Sequence, residues 1–351
     1  MTPEAMQAVI DANAGHAIGY GDDDATASAT KAFHALFGPT CAVAFVPTGT
    51  AANTLSVASL TEPWQRVLCH IHSHWNDDES TAPERITHCR TAPLHPTSGD
   101  GSKLMPDDIT RAGAQGRGDV HQPGPGVLTL SNPTEFGTVY TASEMTALCD
   151  AAHQFGYRVH VDGARFANAV ARLMQTTNDN NAGAIARAIS IDAGVDALSF
   201  GGTKNGLALG EAIVLFPQGD GEAFRRASHA LPYHRKGIGH LLSKHRFVSA
   251  PFAQTLSDGS WVRRAAHAND MAHKLGAGLT DIGVNVRFPV ETNGVFVELE
   301  KSAHEALWAK GHRYYPFGDA EWNVYRLMCS FDTAPEDVDT LLADVRGVFS
   351  R

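Results

Sequence analysis

Apolar and polar positions along the chain follow patterns that predict a succession of short strands and helices. Strands are predicted at 41–46, 127–130, 158–162, 195–198 and 211–216, where apolar residues are consecutive or alternate. Helices are predicted at 3–13, 25–37, 54–60 and 143–157, the last of them capped by Ser143. The 33 glycines and 17 prolines are typical of a loop-rich α/β enzyme.

The C-terminal part of the chain has a different pattern. After a helix that begins near residue 252, strands are predicted at 284–288, 294–299 and 325–330, and a helix at 335–349 ends the chain. This mixture predicts a small α+β domain. Because 351 residues are enough for two domains, we expect a large domain at 1–247 and a small one at 248–351.

Composition and charge narrow the class of protein. A formal charge of −10 and a pI near 5.9 argue against a surface that binds nucleic acid or an anionic membrane. No stretch approaches the roughly 20 apolar residues that span a bilayer, and the N-terminus lacks a signal-peptide pattern. The five cysteines have no CxxC spacing, which favours a reducing compartment. We therefore expect a cytoplasmic protein.

Lys204 is the first candidate for chemistry, because it stands among small residues just after the predicted strand at 195–198. A lysine in this place either reaches out of a surface turn or is held where its amine can attack a carbonyl group. Asp162 ends another predicted strand, and ligands bind at the carboxyl ends of strands in open α/β sheets. Together the two residues match pyridoxal phosphate (PLP), which takes a lysine at its aldehyde and an acid at its ring nitrogen.

Two further stretches contain candidate ligands. Residues 47–53 form a loop of small residues that leads into a helix, and the free amides of a helix N-terminus bind phosphate groups. Many such loops simply cap a helix. His70, His72 and His74 alternate, so on a strand they would face one way as metal ligands. Histidines spaced in this way are frequent without a metal, and we predict no metal site.

Seven stretches of the chain form a pattern that is far more specific than any one of them. They are Tyr20 to Asp23, 47–53, His74 to Glu84, Ser131 to Glu135, His160 to Arg165, Ser199 to Gly206 and Arg326-Leu327. From Gly19 to about Asp332 the chain thereby resembles the threonine aldolase family of PLP enzymes, in its low-specificity and phenylserine aldolase branch. The resemblance implies fold type I of the PLP enzymes: an α/β large domain with a mainly parallel sheet flanked by helices, and a small C-terminal α+β domain.

The resemblance also implies how the cofactor is held. Lys204 is then the residue that binds PLP covalently, and Asp162 pairs with the ring nitrogen. His74 stacks on the ring and reaches the substrate hydroxyl directly or through a water molecule. The residues that hold the phosphate are Thr48, Gly49 and Thr50.

For the substrate, the resemblance implies that Arg326 and Arg165 bind the α-carboxylate, with Arg165 contacting either the amino acid or the cofactor. Arg326 lies on an otherwise apolar strand, where an unpaired guanidinium would be costly. Tyr20 is expected to contact substrate or cofactor. Glu135 stands where better-known members carry histidine, and is expected to handle a proton or contact the hydroxyl group.

The resemblance implies a homodimer or homotetramer with its active site at a subunit boundary. Lys236 and Arg246 are candidates for the basic group that reaches the phosphate of a neighbouring chain. Family members also carry a Ser-Asp segment before the first helix, and its serine contacts the substrate carboxylate. This sequence begins inside that helix, so either the segment is missing or the start codon was assigned late.

The reaction that the resemblance implies is reversible cleavage of L-threonine, L-allo-threonine or a related β-hydroxy-α-amino acid, including phenylserine types, to glycine and an aldehyde. Two alternatives stay open. A PLP-dependent β-eliminating lyase or transaminase would use the same Lys204 and Asp162. A non-catalytic metal-binding protein would instead use the cluster from His70 to His74.

Overall fold

The computed structural model describes residues 1–116 and 118–349, and a seven-stranded sheet forms its centre. The strands lie in the order β1-β7-β6-β5-β4-β2-β3. β7 is antiparallel to both of its neighbours, and the other neighbouring pairs are parallel. This confirms the predicted mainly parallel sheet. The strands are β1 (Ala42–Val46), β2 (Gln65–His70), β3 (Arg90–Leu94), β4 (Gly124–Ser131), β5 (Arg158–Gly163), β6 (Ala197–Gly201) and β7 (Glu211–Leu215).

Helices cover both faces of this sheet, as the prediction requires. All five residues of β6 are buried, with Leu198 and Phe200 in one apolar core and Ala197 in the other, because successive side chains of a strand point to opposite faces. The helices of this part are α1 (Pro3–Ala12), α2 (Asp24–Phe37), α3 (Gly49–Leu60), α4 (His74–Asp77), α5 (Ala82–Thr87), α6 (Pro106–Ala114), α7 (Ala142–Gln154), α8 (Phe166–Thr177), α9 (Ala182–Ala188), α10 (Glu222–Gly237) and α11 (Arg246–Ser257).

Helix α3 is enclosed on all sides, since ten of its residues are buried and it packs against α5, α10 and the sheet. It begins five residues earlier than the predicted start at Thr54. The reason is the cap: the hydroxyl oxygen of Thr48 accepts a hydrogen bond from the N–H of Ala51. Gly49 and Thr50 therefore lie in the first helical turn rather than in a loop.

The start of α7 also differs from the prediction. Thr141, not Ser143, is the cap, because its hydroxyl accepts from the N–H of Glu144 while the Glu144 carboxylate accepts from the N–H of Thr141 at 2.7 Å. This reciprocal pair satisfies two amides that a cap at Ser143 would leave free.

An aromatic cluster joins α2, the sheet and α11. The ring of Phe33 packs against Phe37, Phe45, Phe200 and Phe252, with centroids 5.2 to 6.4 Å apart. Through Phe252, helix α11 belongs to the core of the large sheet. The domain boundary between residues 247 and 248 stays a prediction.

A second, three-stranded sheet lies in the C-terminal part. Its strands are antiparallel, in the order β8-β10-β9, and it has its own apolar core. The predicted strand at 284–288 is wrong: only a single bridge forms, between Val286 and Val297. Pro289 follows directly and has no amide hydrogen to extend the pairing. The elements are α12 (Ser260–Ile282), β8 (Gly294–Glu298), α13 (Lys301–Ala309), β9 (Tyr315–Pro316), β10 (Val324–Met328) and α14 (Pro335–Phe349).

The structure also describes the cysteines and the apolar character of the helices. All five cysteines are buried as free thiols. Across the part of the chain that the structure describes, no helix combines the length and the apolar character needed to cross a bilayer.

Candidate active site

A cavity of about 580 Å³ opens at the carboxyl ends of β4, β5 and β6, and is closed on another side by β9 and β10. Open α/β sheets bind their ligands at this edge. The roles of the residues there stay predictions, but the structure brings six of the predicted residues together in the lining. They are His74, Glu135, Asp162, Arg165, Lys204 and Arg326.

Lys204 follows β6 in a short 3-10 helix, Thr203–Asn205. Gly201 allows the strand to end close to the neighbouring loop, since a Cβ there would overlap the carbonyl oxygen of Ala164. The lysine side chain is open to the cavity, yet the surrounding protein removes much of its hydration. Burial therefore lowers the pKa of Lys204, and the charge of Arg165 lowers it further. At a given pH, a lysine whose pKa is lowered has more of its amine in the unprotonated, nucleophilic form than an ordinary lysine.

Asp162 is the last but one residue of β5. Its Oδ1 accepts a hydrogen bond from the N–H of Ala164 at 2.9 Å, and its Oδ2 accepts one from Nδ2 of Asn53 at 2.8 Å. Burial alone would raise the pKa of Asp162, but the charges of Lys204 and His74 and the hydrogen bond from Ala164 outweigh burial and lower it. The carboxylate is therefore ionised at neutral pH, as pairing with a cationic ring nitrogen requires.

His74 is the first residue of α4, which Ser73 caps. Its N–H donates to Oε1 of Glu135 at 2.8 Å, and its Nδ1 lies 2.9 Å from Oε1 of Glu79. The hydrogen bond to Glu79 raises the pKa of His74 against burial, which lowers it. The carboxylate of Glu135 thus holds the backbone of His74, and the carboxylate of Glu79 holds its ring.

The three alternating histidines do not lie on one strand, so that premise of the metal alternative is wrong. β2 ends at His70, whose Nε2 lies 2.9 Å from the carbonyl oxygen of Gly101. Nδ1 of His70 accepts a hydrogen bond from the N–H of His72 at 3.0 Å. The chain turns here before α4 begins at His74. Both ring nitrogens of His70 are therefore engaged by the backbone.

Glu135 lies in the loop after β4 and reaches the cavity beside His74. Its Oε1 accepts hydrogen bonds from Oγ of Ser131 at 2.6 Å and from the backbone of His74. Burial raises the pKa of Glu135, and these hydrogen bonds oppose the rise. A carboxyl group with a raised pKa keeps its proton to a higher pH than an ordinary glutamate does.

Arg165 and Arg326 face the same cavity, Arg165 from the loop after β5 and Arg326 from β10 of the second sheet. Arg165 precedes α8, and Arg326 lies on β10 with its guanidinium 5.6 Å from the centroid of the Phe317 ring. Within residues 1–116 and 118–349, neither arginine forms an ion pair with a carboxylate. Two guanidinium groups in one cavity can clamp a carboxylate.

The predicted phosphate site lies at the N-terminus of α3, outside the cavity lining. Thr48 is exposed. Apart from the chain neighbours of Gly49 and the adjacent backbone of α3, no described atom lies within 4 Å of the place that a Cβ on Gly49 would occupy. The first amides of α3, together with the positive end of the helix dipole, form a site of the kind that binds phosphate. Thr50 lies in the same first turn.

Tyr20, Lys236 and Arg246 lie outside this chain's cavity lining. Tyr20 is 52% exposed and adopts a positive φ of 65°, and its N–H donates to the carbonyl oxygen of Ser243. Nζ of Lys236 lies 5.2 Å from the centroid of the Tyr20 ring. Arg246 begins α11. The predicted contact of Tyr20 with substrate or cofactor therefore stays a prediction.

Asn53 and Glu79 are residues of the site to which the sequence assigned no role. Nδ2 of Asn53 donates to Glu79 at 2.7 Å and to Asp162 at 2.8 Å. His74, Glu79 and Asp162 bring one potential ligand atom each within 4.8 Å of one another, as a metal site would. The amide of Asn53 nevertheless links the two carboxylates as a donor. The signal that could have found Asn53 is a polar side chain in a helix of small and apolar residues.

These residues fit PLP. Lys204 provides an amine of lowered pKa, and Asp162 provides an ionised carboxylate. The start of α3 provides free backbone amides beside an open space at Gly49. The three groups match the aldehyde, the ring nitrogen and the phosphate of the cofactor. The donor chemistry of the site is therefore that of a PLP enzyme.

Comparisons with known proteins agree with this chemistry. The model of the beta-eliminating lyase family matches residues 1–302. A low specificity L-threonine aldolase of Pseudomonas sp. (strain NCIMB 10558) is 42% identical over 99% of this chain and 95% of its own length. The enzyme of that name from Pseudomonas aeruginosa is 43% identical over 99% and 94%.

Solved structures show the same relationship. The threonine aldolase of Leishmania major superimposes with a TM-score of 0.87 at 25% identity, over 99% of this chain and 96% of that one. Serine palmitoyltransferase of Sphingomonas wittichii, at 14% identity, a TM-score of 0.70 and coverage of 99% and 84%, shares the fold alone.

The chain therefore belongs to the beta-eliminating lyase family. Within that family it groups with the low-specificity L-threonine aldolases, which confirms the resemblance found in the sequence. It is a PLP-dependent enzyme of fold type I and a carbon–carbon lyase.

Proposed function

We propose that the protein cleaves L-threonine, L-allo-threonine or related β-hydroxy-α-amino acids, including phenylserine types, to glycine and an aldehyde, and that it catalyses the reverse reaction. The observation that carries the proposal is the composition of one cavity, in which Lys204 and Asp162 lie with a histidine, His74, and two guanidinium groups. The names of the two Pseudomonas relatives support L-threonine as a substrate.

The side chains divide the work between cofactor and substrate. Lys204 holds the cofactor through its aldehyde, Asp162 holds its ring nitrogen, and Thr48, Gly49 and Thr50 bind its phosphate. PLP, when bound, supplies the electron sink that carbon–carbon cleavage needs. Binding through several groups at once orients the substrate for bond breaking.

Arg326 and Arg165 bind the substrate carboxylate from two sides. His74 accepts the proton of the β-hydroxyl group, and Glu135 contacts that hydroxyl or holds a second proton. A positioned acid or base of this kind accelerates proton transfer by roughly 10² to 10⁴.

The proposal includes a homodimer or homotetramer in the cytoplasm. Three observations support an active site at a subunit boundary. The start of α3 is open, Nζ of Lys236 lies over the Tyr20 ring outside the chain's own cavity, and Arg246 begins α11, which packs against α1 and α2. The five buried free thiols fit a reducing compartment.

A second candidate is β-elimination, which the description of the matching family favours. It would use the same Lys204 and Asp162, but it would release ammonia and a keto acid instead of glycine.

The test is a substrate panel on the PLP-loaded protein. L-threonine, L-allo-threonine and L-phenylserine are each assayed for aldehyde release, and glycine with acetaldehyde is assayed for formation of the amino acid. We expect cleavage of at least one substrate and synthesis in the reverse direction. Absence of aldehyde from all three substrates would contradict the proposal.

A further inference from the structure

A buried chain of hydrogen bonds lies behind His74. Nδ1 of His74 is 2.9 Å from Oε1 of Glu79, and the same oxygen accepts a hydrogen bond from Nδ2 of Asn53 at 2.7 Å. Nδ2 of Asn53 also donates to Oδ2 of Asp162 at 2.8 Å. The side chain of Glu79 is fully buried, whereas that of His74 is one-third exposed, at 33%. The wall of the cavity is thus connected to a carboxylate that the protein encloses.

The donors and acceptors of this chain can be assigned. Because Asp162 is ionised, its oxygen requires the NH₂ group of Asn53 and would repel the amide oxygen. Oε1 of Glu79 is then an acceptor from Asn53. Burial raises the pKa of Glu79, but the hydrogen bonds from His74 and Asn53 oppose this rise, and the hydrogen bond to Glu79 raises the pKa of His74. An imidazole is ordinarily the stronger base of the two, so the shared proton lies on Nδ1 of His74. The neutral ring therefore leaves Nε2 as an acceptor.

We propose that Glu79, oriented by Asn53, is a positioning residue that fixes the Nδ1–H tautomer of His74 and thereby makes Nε2 the atom that takes the β-hydroxyl proton. The inference rests on the proposed aldolase function. As the O–H bond breaks, a bond forms between Nε2 and the proton, and the oxygen electron pair becomes the second bond of the aldehyde carbonyl. The electron pair of the broken carbon–carbon bond stays with the glycine carbon, which needs the proton that His74 now holds.

The carboxylate of Glu79 stabilises the imidazolium that this transfer creates. Other charged groups also face His74: Asp162 on β5, Lys204 after β6, and Glu135, which binds its backbone. Among the residues that the structure describes, Glu79 is the one whose carboxylate contacts a ring nitrogen of His74. The effect of Glu79 on the ring therefore differs from the electrostatic effect of the other charged groups around His74, because Glu79 contacts a ring nitrogen directly.

The experiment compares pH profiles of the PLP-loaded wild type with those of Glu79→Gln. The amide keeps an oxygen acceptor but removes the charge. We expect kcat to fall by about 100-fold with KM unchanged. The acidic limb of kcat/KM is expected to move to lower pH, because the group that raises the pKa of His74 is lost. The visible spectrum of bound PLP should stay that of the wild type, since Lys204 and Asp162 remain.

The matched control is Asp108→Asn, which removes another fully buried carboxylate, at the start of α6 and outside the cavity. It should leave the acidic limb in place. If Glu79→Gln keeps the kcat and the acidic limb of the wild type, the proposal is overturned. If the wild type itself releases no aldehyde, the aldolase function fails instead, and the tautomer must be tested directly.

The direct test does not depend on activity or on the Glu79→Gln variant. Nitrogen NMR of the ¹⁵N-histidine-labelled holoenzyme reports which ring nitrogen carries the proton, with His74→Phe identifying the signals of His74. We expect a protonated Nδ1 and an unprotonated Nε2 at a pH above the pKa of His74. A proton on Nε2 and none on Nδ1 would overturn the assigned tautomer.

Discussion

Arg165 and Arg326 present two positive charges to one cavity, and burial together with the charge of Arg326 lowers the pKa of Arg165 to about 10. Two like charges without a carboxylate partner are costly in a partly desolvated site. An anion bound between them removes that cost and gains charge-assisted hydrogen bonds. The α-carboxylate of an amino acid is an anion of the right kind.

The first prediction concerns this clamp. Arg326→Ala should raise KM for L-threonine by roughly 10- to 100-fold, the effect of losing hydrogen bonds to a charged group. The matched control is Arg287→Ala, an exposed arginine that pairs with Glu298, and it should leave KM unchanged. Steady-state kinetics measure both. An unchanged KM in Arg326→Ala would show that the carboxylate binds elsewhere.

The second prediction concerns the amine of Lys204. Burial and the charge of Arg165 lower its pKa from the ordinary value of 10.5, so the free amine is present at a lower pH. The rate at which apoprotein captures PLP should therefore rise with pH and reach half its maximum below 10.5. Arg165→Gln removes one of the charges and should move this midpoint upward.

The measurement for Lys204 is the growth of visible absorbance after mixing PLP with apoprotein, between about pH 6 and about pH 11. Lys204→Ala serves as the blank. A wild-type midpoint at or above that of an ordinary lysine would contradict the prediction.

The third prediction concerns Glu211, at the start of β7. Burial raises its pKa from 4.5 to about 7, although the N–H of Gly202 donates to its Oε2 at 2.7 Å. A raised pKa means that its contribution to stability is complete below 4.5 and is lost as the pH rises through about 7. Glu211→Gln cannot ionise and avoids this loss.

Urea denaturation of both proteins measures the effect. From about pH 5 to about pH 8, the free energy of unfolding of the wild type should fall by about 2 to 3 kcal/mol relative to Glu211→Gln. A difference that does not change with pH would mean that Glu211 ionises as an ordinary glutamate does.

The fourth prediction concerns the subunit boundary. Lys204→Ala and Lys236→Ala should each have low activity when prepared alone. When equal amounts of the two variants are mixed and reassembled, about half of the dimers contain one chain of each kind. In such a dimer, one of the two sites has both Lys204 from one chain and Lys236 from the other, so about one quarter of all sites should be active. If Lys236 acts within its own chain, mixing restores nothing.

Much of the large sheet could be predicted because its strands are buried on both faces and read as short apolar runs. β5 and β6 end near Asp162 and Lys204, so the apolar pattern already predicted that these two residues lie at the same edge of the sheet. Helix starts were predicted less reliably. The caps at Thr48 and Thr141 depend on which hydroxyl oxygen accepts a hydrogen bond from which backbone amide. The segment at 284–288 has strand composition, but it lacks a partner along its length.

The hydrogen-bonded chain behind His74 could not be predicted, because it depends on contacts between distant parts of the sequence. Asn53 and Asp162 are 109 positions apart and meet only when α3 packs against the sheet. His70 and His74 look equivalent in the sequence, but in the structure His70 contacts the carbonyl oxygen of Gly101 and His74 contacts the carboxylate of Glu79. Periodicity shows which face a residue occupies, not which distant residue it meets.

The product balance of the PLP-loaded protein with L-threonine distinguishes aldol cleavage from β-elimination in a single experiment. Glycine, acetaldehyde, ammonia and 2-oxobutanoate are quantified in one reaction, with Lys204→Ala in parallel. We expect glycine and acetaldehyde in equal amounts from the wild type and neither product from the variant. Ammonia and 2-oxobutanoate in place of glycine and acetaldehyde would contradict this expectation and identify a β-eliminating lyase.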